Sequence, residues 1–177
     1  MAAKKRIQAK VKAAKKPMKR LAAKARATVR KAKVQPIPAG YPRLISVAVT
    51  PRCGEAIAFY KSVFGAKERM RMPLPDGSVA HAELTFGDAV LMLADPMPGF
   101  PATPTRLSLY TKDCDATYAA AVKAGAKSEQ EPTNQFYGDR QARITDPFGN
   151  QWSLMTHVED VSPREMKKRM ASMSGPQ

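Results

Sequence analysis

Hydrophobic and polar residues alternate most regularly between residues 79 and 86. One set of positions holds Val79, His81, Glu83 and Thr85, and the other holds Ala80, Ala82, Leu84 and Phe86. A period of two residues predicts a strand with one polar face and one packed face. Phe86-Gly87-Asp88 predicts a tight turn, and the apolar run Leu91-Met92-Leu93 predicts the returning strand. The chain is therefore expected to be organised around a hairpin between Asp76 and Asp95.

The pattern before this hairpin is helical. Ile57, Tyr60 and Phe64 recur at the spacing of one helix face, and Gly65 follows as a C-terminal stop. Leu44–Thr50 predicts a buried strand because both of its faces are nearly apolar, and residues 67–72 predict another. The first half of the chain is thus expected to be strand, helix and three strands.

The second half repeats this plan. Gly149 follows Phe148 as Gly87 follows Phe86, which is a displacement of 62 residues, whereas Gly125-Ala126-Lys127 recurs 60 residues after Gly65-Ala66-Lys67. Two copies predict one domain of two similar modules and not a solenoid. The further predicted elements are strands at 106–112, from 127, at 141–145 and at 151–157, with a helix at 115–124.

These elements predict three regions. A basic tail and proline-rich linker cover residues 1–41, and the two-module domain covers 42–160, with modules at 42–100 and 105–157. Residues 161–177 hold a last helix and tail. Ser162, Pro163 and Glu165 predict the start of that helix, because they match a capping residue, a first helical proline and a capping-box acid.

The charge is concentrated in the tail. Residues 1–43 contain half of the 30 Lys and Arg residues and no acid, so the rest of the chain has 15 basic and 15 acidic residues. Self-repulsion and the lack of an apolar face predict disorder in free solution, with helix only when the charge is neutralised. Three interpretations stay open: non-specific nucleic-acid binding through residues 1–35, organelle targeting, or a merely solvated extension.

Compartment and membrane contact follow from two further features. No apolar run approaches the roughly 18 residues that a transmembrane helix needs, so we expect no membrane contact. Cys53 and Cys114 lack a Cys-x-x-Cys spacing. Reduced thiols in a cytoplasmic protein are therefore expected.

Two segments carry a family resemblance. Within the paired β-α-β-β-β modules, Ala-Ile-Ala-Phe-Tyr-Lys-Ser-Val-Phe-Gly-Ala (56–66) and Asp-Pro-Phe-Gly-Asn-Gln-Trp-Ser-Leu (146–154) resemble the glyoxalase/bleomycin-resistance/dioxygenase family of the vicinal oxygen chelate superfamily. The Asp-Gly-x-x-x-His-Ala-Glu-Leu segment and Trp-Ser-Leu-x-Thr-His-Val-Glu-Asp-Val-Ser-Pro resemble its PhnB-like branch. The resemblance, from Pro42 to about Met170, implies an α+β fold whose two mixed sheets curl around a shared cavity, often in a homodimer.

The resemblance also implies where a metal would bind. Metal-using members place His, Gln or Glu ligands on the first and last strand of each module. Carried over, these positions fall near Ile45 or Ser46, on Glu83, near Arg106 or Leu107, and on Ser153. Only Glu83 suits a divalent ion, so we expect no metal and no other cofactor. A different set, His81, Glu83 and His157, has the composition of an iron(II) or zinc site and is kept as an alternative.

Site candidates follow from the parity of the predicted strands. Glu83 and His81 are the candidate proton carriers for catalysis. Alignment of the two turns places Arg143 opposite His81, so all three side chains are expected to form one inward-facing cluster. There Arg143 would bind a carboxylate or phosphonate, or pair with Glu83 for structure alone. The remaining ligand-binding candidates are Ser153, His157 and Tyr137.

No residue identifies a substrate, and two classes of function stay open. One is a protein of this fold that binds or transforms a small, anionic molecule between its modules, either as a lyase, isomerase or dioxygenase-like enzyme or as a metal-free binding protein. The other is a nucleic-acid-associated protein that acts through the basic tail.

Overall fold

The computed structural model describes residues 34–173, so residues 1–33, on which most of the tail predictions fall, lie outside it. The first module contains β1 (Ser46–Val49), α1 (Cys53–Phe64), β2 (Lys67–Pro73), β3 (Val79–Phe86) and β4 (Ala89–Ala94). The second contains β5 (Arg106–Tyr110), α2 (Cys114–Lys123), β6 (Lys127–Asn134), β7 (Asp139–Thr145) and β8 (Gln151–His157). Helix α3 (Pro163–Met173) follows. The predicted order of elements is confirmed.

Each module forms one four-stranded mixed sheet, and the two sheets share one topology. Their strand orders are β1-β4-β3-β2 and β5-β8-β7-β6. The first strand of each module runs parallel to the last, and the other pairs are antiparallel. One helix packs against each sheet. We call the opposite face of each sheet its open face; the fold is α+β, as predicted.

The hydrophobic core lies between the sheets and their helices. From α1 it takes Ile57 and Tyr60, and from the strands it takes alternate residues such as Leu84 on β3 and Leu154 on β8. Trp152 also belongs to it. Val79 is a departure, because alternation predicted it on the polar face whereas it is buried in the core. The strand pairing shifts between Met72 and Pro73, opposite this end of β3, and breaks the simple parity.

A buried network of polar side chains joins the two modules. Asp146 of the second module accepts hydrogen bonds from the Tyr60 hydroxyl at 2.6 Å and from Trp152 Nε1 at 2.9 Å. Asn150 donates to Tyr60 and to Thr50 of the first module. Burial raises the pKa of Tyr60 well above its ordinary value, and Asp146 adds to the effect. A buried network in which each group has partners fixes the modules against each other.

The C-terminal helix begins as predicted. Ser162 Oγ accepts a hydrogen bond from the backbone N–H of Glu165 at 3.2 Å. Arg169 of the same helix pairs with Glu159 and donates to the Phe136 carbonyl, which attaches α3 to the loop before β7. Within residues 34–173, no helix is long and apolar enough to cross a membrane. Both cysteines are free and buried.

Candidate functional site

An almost fully buried carboxylate lies on the open face of the first module. Glu83 is 2% exposed and lies between Met70 on β2 and Met92 on β4. The hydroxyl of Tyr41, from the segment before β1, donates to its two oxygens at 2.8 and 2.9 Å. His81 Nε2 lies 3.2 Å from Oε1. The predicted pair of Glu83 and His81 is therefore present, with a tyrosine bound to it.

A β-bulge brings a cation to this carboxylate. Glu68 pairs with Leu84 and Met70 pairs with Glu83, so Arg69 is an extra residue in β2. Its Nε lies 3.5 Å from Glu83, and its guanidinium lies 3.8 Å from the centre of the Tyr41 ring. Arg69 thus contacts the acid and the aromatic ring together.

The partners of Glu83 decide its charge. Burial by itself raises the pKa of a carboxyl group, but hydrogen bonds from His81 and Tyr41 and the charge of Arg69 act in the opposite direction, and the pKa of Glu83 is lowered. The hydrogen bond to Glu83 raises the pKa of Tyr41. At neutral pH the site therefore contains a carboxylate and a neutral phenol.

The second module has the same bulge with the charges exchanged. Ser128 pairs with Ile144 and Gln130 pairs with Arg143, so Glu129 is the extra residue of β6. The bulge makes Arg143 the counterpart of Glu83, 60 residues away, and Glu129 the counterpart of Arg69. The sequence alignment that placed Arg143 opposite His81 is wrong. The loop between β7 and β8 is longer than the turn between β3 and β4, so Gly149 is displaced relative to Gly87, whereas the pairing of Arg143 with β6 is equivalent to the pairing of Glu83 with β2.

Arg143 belongs to a cavity of about 480 Å³ on the second open face. Leu107, Ile144 and Trp152 belong to the lining, and the polar lining residues are Arg106, Ser108, Glu129, Arg143, Gln151 and Ser153. Arg143 Nε donates to Gln130 Oε1 at 2.9 Å, and Glu129 is held by Lys127 and Thr145. Glu83 and His81 do not line this cavity, so the structure separates Arg143 from the two residues with which the sequence predicted it to cluster.

His157 and Tyr137 lie near the other end of the same sheet. His157 is hydrogen-bonded to Asp139 at 2.8 Å and to Asp160 at 3.0 Å, and these two bonds raise its pKa. Tyr110 donates to the second oxygen of Asp139 at 2.7 Å. Burial is the main cause that raises the pKa of Tyr137. The partners of His157 thus come from the second module, and Glu83 is not among them.

The positions expected to bind metal do not fit a divalent ion. Val47 pairs with Met92 and Ser108 with Ser153, so these four residues occupy the open faces of the first and last strands. Glu83 lies on the third strand and not on the last, so it was assigned to the wrong position. Alkyl, thioether and hydroxyl groups are poor ligands for such an ion. In the alternative set, His81 contacts Glu83, whereas the partners of His157 are Asp139 and Asp160.

A smaller cavity of about 360 Å³ lies between the modules. Most of its lining comes from β4 and β5, and Phe86 of β3, Asp88 of the following turn and Trp152 of β8 complete it together with Ser46. The predicted ligand-binding residues Arg143, His157 and Tyr137 do not line it. The polar groups therefore face two separate sheet surfaces.

Sequence reasoning missed three residues of these clusters. Tyr41 lies beside the linker prolines, where no pattern indicates a contact with a strand. Arg69 depends on a bulge that alternation does not reveal. Arg106 was considered only as a failed metal ligand, although an exposed arginine on an edge strand is a signal for anion binding.

The comparisons with known proteins agree with this architecture. Residues 45–154 match the model of the Glyoxalase/Bleomycin resistance protein/Dioxygenase superfamily. "Uncharacterized protein Rv0887c" of Mycobacterium tuberculosis is 36% identical over 142 residues, which are 74% of this chain and 84% of that protein.

Two solved structures are also similar. The gene product At5g48480 of Arabidopsis thaliana is 28% identical with a TM-score of 0.52, over 64% of this chain and 98% of that one. TnmS3, an antibiotic binding protein from Streptomyces sp. CB03234, is 26% identical with a TM-score of 0.52, over 71% of this chain and 100% of that one. The PhnB-like branch and the homodimer stay predictions. The family model covers most of both modules, and the chain belongs to the glyoxalase/bleomycin resistance protein/dioxygenase superfamily.

Proposed function

We propose that this domain binds a small anionic molecule on the open face of its second module. The observation that supports this is the pair of guanidinium groups, Arg106 and Arg143, on one cavity of about 480 Å³. Within residues 34–173 neither group has a hydrogen bond or ion pair with a carboxylate. The charge of Arg143 acts on the nearby Glu129 carboxylate, but two guanidinium groups face this cavity beside one acid. An excess of cations beside a cavity attracts an anion of matching size.

The groups around the cavity suit a carboxylate or a phosphonate. Arg143 Nε donates a hydrogen bond to Gln130, which orients the guanidinium and leaves its terminal nitrogens for a ligand. Planar guanidinium groups bind such oxygens in pairs, and the hydroxyls of Ser108 and Ser153 can donate to the same ligand. Glu129 on the rim disfavours a second negative charge near it. A ligand with one compact anionic group is therefore favoured.

Binding without turnover is the activity that these contacts support best. The Tyr41 hydroxyl donates to both oxygens of Glu83, so the carboxylate can accept a proton from a ligand at these positions only after Tyr41 leaves. The residues of the first and last strands supply no ligand set for a divalent ion, so the proposal includes no metal. The similarity to TnmS3, an antibiotic binding protein, agrees with a binding role.

Isothermal titration of the full chain with phenylphosphonate and with benzoate tests the proposal. Arg143→Gln and Arg106→Gln should each weaken binding by at least about tenfold, the usual effect of losing a charged hydrogen bond. Arg164→Gln, on the exposed part of α3, is the matched control because it removes the same charge elsewhere. Equal affinities for all three variants would show that the attraction comes from net charge alone.

A second candidate function comes from the tail. Residues 1–43 carry 15 basic residues and no acid, and we propose that they bind nucleic acid through phosphates without sequence preference. Deletion of residues 1–40 should remove DNA binding that is micromolar or weaker at physiological salt and falls steeply with salt. Equal DNA binding by the truncated protein would refute it and direct attention to Lys167, Lys168 and Arg169.

A further inference from the structure

We infer that the open face of the first module is a binding site for neutral aromatic hydroxyl compounds, and that Tyr41 of the chain itself occupies it. The site is separate from the anion cavity of the second module. It is defined by the Glu83 carboxylate, the Arg69 guanidinium and the methionines beside them.

The contacts of Tyr41 are those that a bound phenol would make. Its hydroxyl donates between the two oxygens of Glu83, at 2.8 and 2.9 Å, and the guanidinium of Arg69 stacks on its ring at 3.8 Å. A buried carboxylate requires donors, and a phenol supplies one without adding charge. The ring satisfies the cation at the same time. An aromatic ring that carries a hydroxyl is the ligand class that meets both requirements.

The surface around Tyr41 extends beyond a single ring. Met70 and Met72 on β2 and Val47 on β1 share the open face with Glu83, and 39%, 53% and 58% of their surfaces are exposed. Thioether side chains adapt to flat aromatic surfaces and make favourable contacts with them. Exposed apolar residues beside a buried acid leave room for a molecule with more than one ring.

Tyr41 is positioned to exchange with such a ligand. Tyr41 belongs to no strand or helix, and it lies between Gly40 and Pro42 in the segment before β1. An attached side chain acts at a high effective concentration, so an external phenol must displace it and binds more weakly than it would to the vacated site. Removal of the tyrosine ring should therefore expose the site.

The test uses the full chain and 4-methylphenol, which has the same ring and hydroxyl as the tyrosine side chain. Tyr41→Ala should bind it at least about tenfold more tightly than the unchanged protein, and Tyr41→Phe, which keeps the ring but not the hydroxyl, should be intermediate. Adding Glu83→Gln to Tyr41→Ala should reverse the gain. 4-Methylanisole, which cannot donate a hydrogen bond, should show no gain. Ligand-observed NMR measures the affinity of each of the four proteins for the two compounds.

Three results would overturn the inference. One is an affinity for 4-methylphenol that agrees within twofold among the unchanged protein, Tyr41→Phe and Tyr41→Ala. Another is equal binding of 4-methylanisole, which would make the site merely apolar. The third is a sedimentation experiment in which Tyr41→Ala forms a dimer that excludes the phenol. The open face of the first module would then bind a second copy of the chain.

Discussion

The two modules share a topology and a bulge, yet their open faces are opposite in character. In the first, the acid Glu83 is buried and has three partners, Tyr41, His81 and Arg69. In the second, the counterpart Arg143 faces a cavity, and its hydrogen-bond partner is the neutral Gln130. One scaffold thus holds a satisfied acid on one sheet and cations available for a ligand on the other. A duplicated module can therefore place opposite charges on two equivalent open faces.

The largest expected loss of stability comes from a glycine substitution in one of two equivalent turns. Gly77, between β2 and β3, and Gly138, between β6 and β7, both have positive φ, at 87° and 103°. A Cβ on Gly77 would meet nothing within 4 Å, whereas a Cβ on Gly138 would overlap the carbonyl oxygen of Glu159. We expect Gly138→Ala to lower the free energy of unfolding by about 3 kcal/mol and Gly77→Ala by about 1 kcal/mol.

Urea denaturation of both variants measures this difference. Equal losses would mean that the segment after β8 moves away from Gly138 at no cost, and that the second module is less constrained than its contacts indicate.

The next prediction compares the two counterpart residues. Glu83→Ala should cost about 2–3 kcal/mol of unfolding free energy, because it removes the acceptor of the Tyr41 hydroxyl and a charged partner of Arg69. Arg143→Ala should stay within about 1 kcal/mol, since its side chain is exposed and its partner is uncharged. Thermal melts of the two variants at the same pH give both values. A larger loss for Arg143→Ala would assign that arginine a structural role.

A double exchange sharpens the comparison. Glu129→Arg with Arg143→Glu gives the second module the charges of the first and keeps the net charge. We expect phenylphosphonate binding to be lost while the unfolding free energy changes by about 1 kcal/mol or less, because both positions are at the surface. Calorimetric titration beside a melt tests both parts. Retained binding would locate the anion elsewhere.

The smallest effects are in the pH dependence. The pKa of Glu83 is lowered from 4.5, so its contribution to stability is present above about pH 4.5 and is lost as the pH falls through the folded-state pKa. The pKa of His157 is raised from 6.5, so its contribution is complete below pH 6.5 and is lost as the pH rises through the higher folded-state value. Glu83→Gln should therefore matter less in acid, and His157→Gln less in alkali. Melts between pH 3 and pH 9 would show the opposite trends if these assignments are wrong.

Much of the fold could be predicted from the sequence, because periodicity and turn residues are local signals. The strand Gln151–His157 has the predicted bounds, and the first helix ends at Phe64, directly before Gly65, as predicted. The residue-by-residue equivalence of the two modules was less predictable. The turn before β8 is longer than its counterpart, so an alignment on Gly87 and Gly149 displaced Arg143 by two positions relative to β3.

The candidate site was only partly predictable, for a similar reason. Alternation identified Glu83, His81 and Arg143 as residues of the open faces. It could not assign the two faces to separate clusters, since this depends on how the sheets are arranged in space. Arg69 reaches Glu83 through a bulge, and Tyr41 reaches it across 42 residues of sequence. Such contacts have no local pattern.

A crystal structure of the full chain with phenylphosphonate tests the central claim most directly, namely that the second open face is the anion site. The phosphonate oxygens are predicted within hydrogen-bond distance of the guanidinium groups of Arg106 and Arg143, with Tyr41 still on Glu83. A phosphonate bound on the first open face, or a vacant second face at a concentration that saturates binding in solution, would contradict the account.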